Sequence, residues 1–323
     1  MNAKTVTIAL VAAVPAFATP VAAQEYPAKP VRVLVGFAPG GGIDSSARAF
    51  APALGAALGK PVIVENRPGA GSNIAAEIAA KAAPDGYTLL LGSIASLAIN
   101  PSLYGKLSFD PARDFAPIAQ TGTMSNIIVV HPVVPAKTLK EFVALAKRSP
   151  GQITYATPGA GSSAHLSGEL LKKVAGIDIV AVPYKGGGQA VVDSLAGHVP
   201  VFFASVPVVI THVAAGRLKA IAVTTGKRAA AMPDVPTVAE AGYPGCQIDN
   251  WYGLVAPAGT PRAVIDRLNR EVTVVLLTQD VVTRIRELGH DTATSTPEQF
   301  GALIRSENAK WAKVVKEVGV SAR

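Results

Sequence analysis

Charge, cysteine and aromatic side chains are all scarce in this chain of 323 residues. Its one cysteine, Cys246, excludes an intramolecular disulfide and a thiolate metal cage. Charged residues make up 16% and aromatic residues 6%. The 30 Lys and Arg exceed the 22 Asp and Glu, a formal +8. They are scattered rather than clustered with aromatics, which argues against a nucleic-acid surface. No apolar run after residue 30 approaches the roughly 18 residues of a membrane-spanning helix. Catalytic signatures are missing too. There is no G-x-x-x-x-G-K-[ST] phosphate loop and no G-x-S-x-G nucleophile elbow. The glycines from Gly36 to Gly42 lack the G-x-G-x-x-G spacing of a dinucleotide site. His131, His165, His198, His212 and His290 form no H-E-x-x-H or H-x-H set, so no zinc site is expected. Neither a metal nor an organic cofactor is called for.

What is present is a core. Hydrophobic residues make up 49%, too many for a disordered chain, and the 30 Gly and 25 Pro are dispersed rather than repetitive. The first residues read differently from the rest. Met1 to Lys4 carries one positive charge, Thr5 to Ala18 is apolar apart from Pro15, and Val21-Ala22-Ala23 offers small side chains. This pattern predicts a secretory signal peptide, residues 1–23, cut after Ala23. An exported chain with one cysteine suits a bacterial periplasm, where stability rests on packing rather than crosslinks.

From Val31 onward strands and helices alternate. Apolar stretches at Val31–Gly36, Pro61–Val64 and Tyr87–Leu91 flank helical patterns over Asp44–Leu58 and up to Ala83. That βαβαβ order predicts a mainly parallel sheet with helices on both faces. Pro101 to Pro117 reads as turns, with Asp110 and Asp114 in a capped surface turn rather than a catalytic pair. Strands are predicted at Ile127–Val130, Ile153–Ala156, Ile179–Val182, Val201–Ala204, Leu218–Val223 and Leu254–Ala256. The spacing Thr138 to Glu141 marks a helix start, as does Thr296-Pro297-Glu298-Gln299. Thr260-Pro261 is expected to cap and start a helix through Leu277. The simplest assembly has two α/β domains: residues 24–124 and 250–323 form the first, and 125–249 the second. A single doubly wound domain is the alternative.

Glycine-rich loops follow several strands and lead into helices. Gly36 to Ser46 is the first, with Asp44 expected as the helix N-cap or as a group that holds the loop. Thr157 to His165 is the second, offering Ser162 and Ser163; His165 reads equally as a packed residue or a ligand contact. Tyr184 to Gln189 is the third, where Lys185 either attracts an anion or is simply solvated. Gly69 to Asn73 is a fourth, either binding or only a helix start. Such loops expose backbone N–H groups, and a helix start favours an anion. Each also reads as an ordinary strand-to-helix turn. Two lobes with these loops at their strand ends would enclose a cleft.

The motifs together resemble a known family, the periplasmic solute-binding receptors of tripartite tricarboxylate transporters (Bug receptors, TctC-like). The resemblance runs through Tyr26–Arg32, Gly36–Arg48, Val64–Gly71, Ala83–Leu89, Phe109–Pro117, Gly159–Leu166 with Gly168–Leu170, Val182–Gly187, Pro233–Thr237 and Trp251–Pro261. It implies a two-lobed α/β Venus-flytrap fold, type II-like, with a mixed sheet flanked by helices in each lobe. It also implies a monomeric receptor, not an enzyme, that binds a small organic carboxylate and hands it to a membrane permease. The positions that match the family's carboxylate loops are Phe37, Ala38, Gly41, Gly42 and Asp44, then Gly159, Ser162, Ser163 and His165. Tyr184 and Lys185 fall in the third loop, and Asp249 to Tyr252 should lie near the hinge or cleft. Gln189 departs from the family, where proline is common. The other readings are a secreted α/β hydrolase, which needs a nucleophile and base that converge, and a ligand-sensing interaction protein with the same fold.

Overall fold

The computed structural model describes residues 26–319; the expected leader, residues 1–23, lies outside them. Two mixed sheets organise the chain. The first begins with β1 (Val31–Val35), α1 (Gly42–Leu58), β2 (Val62–Asn66), α2 (Asn73–Ala80) and β3 (Thr88–Ser93). A wide helical turn, Ala95–Ile99, then runs into the short α3 (Asn100–Leu103) and leads to β4 (Phe115–Met124). The second sheet takes β5 (Asn126–Val130), α4 (Leu139–Arg148), β6 (Thr154–Thr157), α5 (Ser163–Ala175), β7 (Val180–Pro183), α6 (Gly187–Leu195), β8 (Val201–Ser205), α7 (Val206–Ala214) and β9 (Lys219–Val223). The chain then returns to the first sheet with β10 (Asn250–Pro257), α8 (Arg262–Leu277), α9 (Gln279–Glu287), β11 (His290–Thr292) and α10 (Pro297–Val318).

The strand orders are β11-β4-β10-β3-β1-β2 and β7-β6-β8-β5-β9. The βαβαβ part is parallel as expected, since β1 pairs in parallel with both β2 and β3. The mainly parallel sheet is corrected by β10, which runs antiparallel to both β3 and β4. In the second sheet β5 is antiparallel to β8 and β9. The segment read as turns in fact runs into β4, and α9 and β11 went unpredicted.

Side-chain alternation explains why both sheets are covered on two faces. In β1, Val31, Val33 and Val35 point to one core and Leu34 to the other. Leu89 and Leu91 against Leu90, and Tyr252 and Leu254 against Trp251 and Val255, divide the same way. Helices α1, α8 and α9 cover one face of this sheet, and α2 and α10 the other. The second sheet places α4 and α5 on one face and α6 and α7 on the other.

Helix starts follow local chemistry. Thr138 Oγ1 accepts from Glu141 N at 3.2 Å. Thr296 and Gln299 form a reciprocal capping box. The start at Thr260-Pro261 differs from expectation. Pro261 itself occupies the N-cap with extended backbone, and Thr260 Oγ1 donates to the Pro257 carbonyl at 2.8 Å.

A buried polar chain pins α1 to the sheet. Ser46 Oγ donates to Tyr252 Oη at 3.0 Å, and Tyr252 Oη lies 3.0 Å from His290 Nδ1. His290 Nε2 lies 3.2 Å from Ser45 Oγ, which donates to the Gly42 carbonyl at 2.8 Å. This order suits a neutral imidazole, with Nδ1 accepting and Nε2–H donating. Burial pushes the His290 imidazole down to about 4.

An unfolded histidine titrates near 6.5, so the unfolded chain takes up a proton first as pH falls. The stability held above about pH 6.5 is therefore lost progressively toward pH 4, by roughly 2–3 kcal/mol for this group. His165, also pushed down by burial, adds to the same slope. Denaturant titrations between pH 7.5 and 4.5 should show this fall, and His290→Gln should flatten it; an unchanged slope in that variant would refute the assignment.

Candidate functional site

The carboxyl ends of β1, β6 and β8 lead into helices that start around one cavity between the lobes. Helix α1 contributes Gly41, its N-cap, with Gly42 and Ile43. Helix α5 contributes Ser162, its N-cap, with Ser163 and Ala164. Helices α6 and α7 contribute Gly187 and the N-cap Ser205. Phe37, Pro158 and Val208 form apolar walls, and Met124, Asn126 and Asn250 form the floor where the chain crosses between sheets. The cavity is narrow, about 30 Å³, on a scale where one water needs roughly 10–15 Å³.

The electrostatics come from the backbone. Each helix start carries N–H groups without an intrahelical acceptor and the positive end of the helix dipole. Ser162 Oγ satisfies one, accepting from His165 N at 3.1 Å. No side chain caps α1, α6 or α7. No lysine, arginine, acid or histidine is among the lining residues. The arrangement offers convergent hydrogen-bond donors to an anion and no general base.

The expected site residues separate into two groups. Phe37, Gly41, Gly42, Ser162 and Ser163 line the cavity. The other six support it or lie beside it. Asp44 is not the N-cap, which is Gly41. It is buried three residues further on, where its carboxylate accepts from Gly40 N at 2.9 Å, Arg48 Nε at 3.0 Å and Asn66 Nδ2 at 2.8 Å. It therefore holds the loop. His165 is buried in α5, and its Nδ1 accepts from Gly161 N at 3.3 Å. Tyr184 donates from Oη to Asp193 at 2.6 Å. Burial and that carboxylate push the phenol up to about 12. The Lys185 side chain is exposed, but its carbonyl accepts from Ala38 N at 3.3 Å across the cleft. Gly159, at the head of its loop, accepts from Ser162 N at 3.1 Å. Gln189 is exposed on α6, which already starts at Gly187.

The lobes also touch at the rim. Tyr104 Oη donates to the Ala160 carbonyl at 2.8 Å. Ala70, Gly71 and Ser72 all have positive φ, and a Cβ at Gly71 would stand 2.7 Å from that carbonyl. The fourth glycine loop is thus a helix start that also forms an interlobe contact. Leu166 and Leu170 of α5 are buried with Trp251, Phe300 and Trp311 in the first lobe's core.

Sequence reasoning missed Ser205, Asn126 and Met124 as cavity residues, and placed Asn250 only near the hinge or cleft. One signal was available for Ser205: a serine two residues before Pro207 at the end of an apolar strand marks a helix start. The asparagines carry no local signature.

Comparison with known proteins agrees with this fold. A family profile described as "Tripartite tricarboxylate transporter family receptor" matches residues 46–320. Protein BugT of Bordetella pertussis (strain Tohama I) is 39% identical over 303 residues, covering 94% of this chain and 93% of BugT. An R. palustris protein solved with adipate superposes with a TM-score of 0.88 at 33% identity, covering 92% of this chain and 99% of that one. MatC from Rhodopseudomonas palustris with bound malate superposes with a TM-score of 0.86 at 33% identity, covering 90% of this chain and all of MatC (100%). With its two mixed-sheet lobes, and a likeness to the periplasmic binding protein BugD at 33% identity and a TM-score of 0.87, the chain belongs to the tripartite tricarboxylate transporter receptor family.

Proposed function

We propose that this protein is a periplasmic receptor, exported by the leader at residues 1–23, that binds one small organic carboxylate between its lobes. It then delivers that acid to the membrane permease of a tripartite tricarboxylate transporter. The observation that carries the reading is the meeting of four helix N-termini at a cavity lined by no charged side chain. Such donors hold an anion without a counter-cation, and a carboxylate is one that fits. The adipate and malate found with two relatives are of this class.

In this reading residues 24–124 with 250–323 act as one lobe and 125–249 as the other. Phe37, Gly41, Gly42, Ser162 and Ser163 contact the acid. Ala38, Asp44, Gly159, His165, Tyr184 and Lys185 shape or bridge the loops that hold it. The protein acts as a monomer and needs no metal or organic cofactor. A hydrolytic reading finds no support, because none of the three cavity serines, Ser162, Ser163 and Ser205, is paired with a base among the described residues.

Calorimetric titration with a panel of di-, tri- and aromatic carboxylates should give saturable one-to-one binding and a rise in Tm. Absence of binding across the panel, beside turnover of an ester or amide, would overturn the reading. Gly42 is the sharpest probe of the cavity. A Cβ there would stand 2.8 Å from Ser205 Oγ and 2.9 Å from Met124 Sδ, both ends of movable side chains. Gly42→Val should therefore fold yet weaken binding by at least about tenfold, by filling the space a carboxylate would take. Tyr104→Phe should weaken binding by roughly 2- to 10-fold, the worth of one net hydrogen bond across the lobe boundary, in the reading that the lobes part when the acid leaves. Affinity equal to wild type in either variant would count against the corresponding contact.

A further inference from the structure

The floor of the cavity carries a polar chain whose far end is open. Asn126 Nδ2 donates to Ser163 Oγ at 3.1 Å, and Asn250 Nδ2 donates to Asn126 Oδ1 at 3.2 Å. All three residues line the cavity and all are buried, with Asn126 and Asn250 each 2% exposed. Asn250 Oδ1 is buried and accepts no hydrogen bond among the described residues. A buried acceptor left without a donor is costly, and beside a cavity either a water or a ligand group supplies one.

The direction of this chain is set at its other end. Ser163 begins α5, and its hydroxyl proton is free because its oxygen already accepts from Asn126. A carboxylate at that helix start takes the proton as a hydrogen bond. With the Ser163 hydroxyl pointed at the acid, its oxygen must accept from Asn126, so Asn126 must accept from Asn250. Asn250 is then left presenting an oxygen rather than an NH2. Binding a carboxylate at one end thus commits the other end to seek a donor.

We propose, building on the carboxylate-receptor reading, that Asn250 selects acids bearing a hydroxyl group and that the preferred solute is a small hydroxycarboxylate. An ammonium group would also donate to Asn250 Oδ1, but the site disfavours it. Four positive helix ends face the cavity, and no acidic side chain lines it. Asp44, buried in the first turn of α1, is already neutralised by Arg48 and held by Asn66 and Gly40. A hydroxyl brings the donor without the charge. The apolar walls Phe37, Ile43 and Val208 suit the hydrocarbon between its polar groups.

The test compares matched acids on the full chain by calorimetry: malate, succinate and aspartate, with lactate against propionate as a shorter pair. Malate should bind about tenfold or more tightly than succinate, since a site built around a hydrogen-bonding group rejects the analogue lacking it. Aspartate should bind more weakly than malate. In Asn250→Ala the malate-to-succinate ratio should fall to near one, whatever the change in the affinity for succinate itself. A merely structural asparagine would weaken both acids together and leave the ratio intact. Equal affinity for the hydroxylated and plain acids in the wild-type protein overturns the proposal by itself, even where the variant fails to fold. Aspartate binding as tightly as malate, or a ratio unchanged in Asn250→Ala, overturns it as well. Binding by none of these acids would overturn the hydroxycarboxylate proposal alone; the carboxylate-receptor reading fails only if the wider di-, tri- and aromatic panel also gives no binding.

Discussion

A helix leaves its first backbone N–H groups without partners, and in this fold several helices begin at the same place. The end of β1 in one sheet faces the ends of β6 and β8, parallel neighbours in the other, across the lobe boundary. The loops between them must be short and small-sided, or the lobes would not approach. Gly42 shows how close that approach is, with Ser205 Oγ and Met124 Sδ inside the space of a missing methyl group. The same crowding that demands glycine also leaves the amides uncovered. The site is thus made by what the loops lack rather than by side chains brought in to do chemistry.

Support for those loops comes from residues that do not line the cavity. Asp44 gathers Gly40, Arg48 and Asn66 around the first loop. His165 and Ser162 fold the second loop back on the start of α5. The Ser46–Tyr252–His290–Ser45 chain fixes α1 at a set height above the sheet. A backbone amide has no rotamer to adjust, so its aim is only as good as the helix that carries it. Buried polar networks under the helix provide that aim.

Much of this was legible in the sequence, and the limits were physical. The glycine loops were visible because they interrupt apolar strands and precede helical periodicity. Strand β4, Phe-Ala-Pro-Ile-Ala-Gln-Thr-Gly-Thr-Met, hides because proline, glycine and glutamine obscure its alternation. Its strand character comes from pairing with β10, which lies more than a hundred residues away in the chain. Asp44 was expected either at the N-cap, where an acid after a glycine run often sits, or as a group that holds the loop, and it is the second. Gly41 takes that place with φ −75° and ψ 164°, leaving Asp44 to reach back to Gly40. Asn126 and Asn250 are unremarkable letters in the sequence; only the crossing between sheets joins them.

Helix α5 has a consequence for how the protein moves. It belongs to the second sheet, yet Leu166 and Leu170 are rooted in the core of the first lobe, at 0% and 3% exposure. Any motion that parts the lobes draws these side chains toward water. Opening then carries a hydrophobic cost, and closing should be marked by a loss of heat capacity. A hinge between the lobes would thus work against packed leucines as they part. Its resting balance depends on temperature through water ordering at two leucines, apart from anything that binds in the cleft.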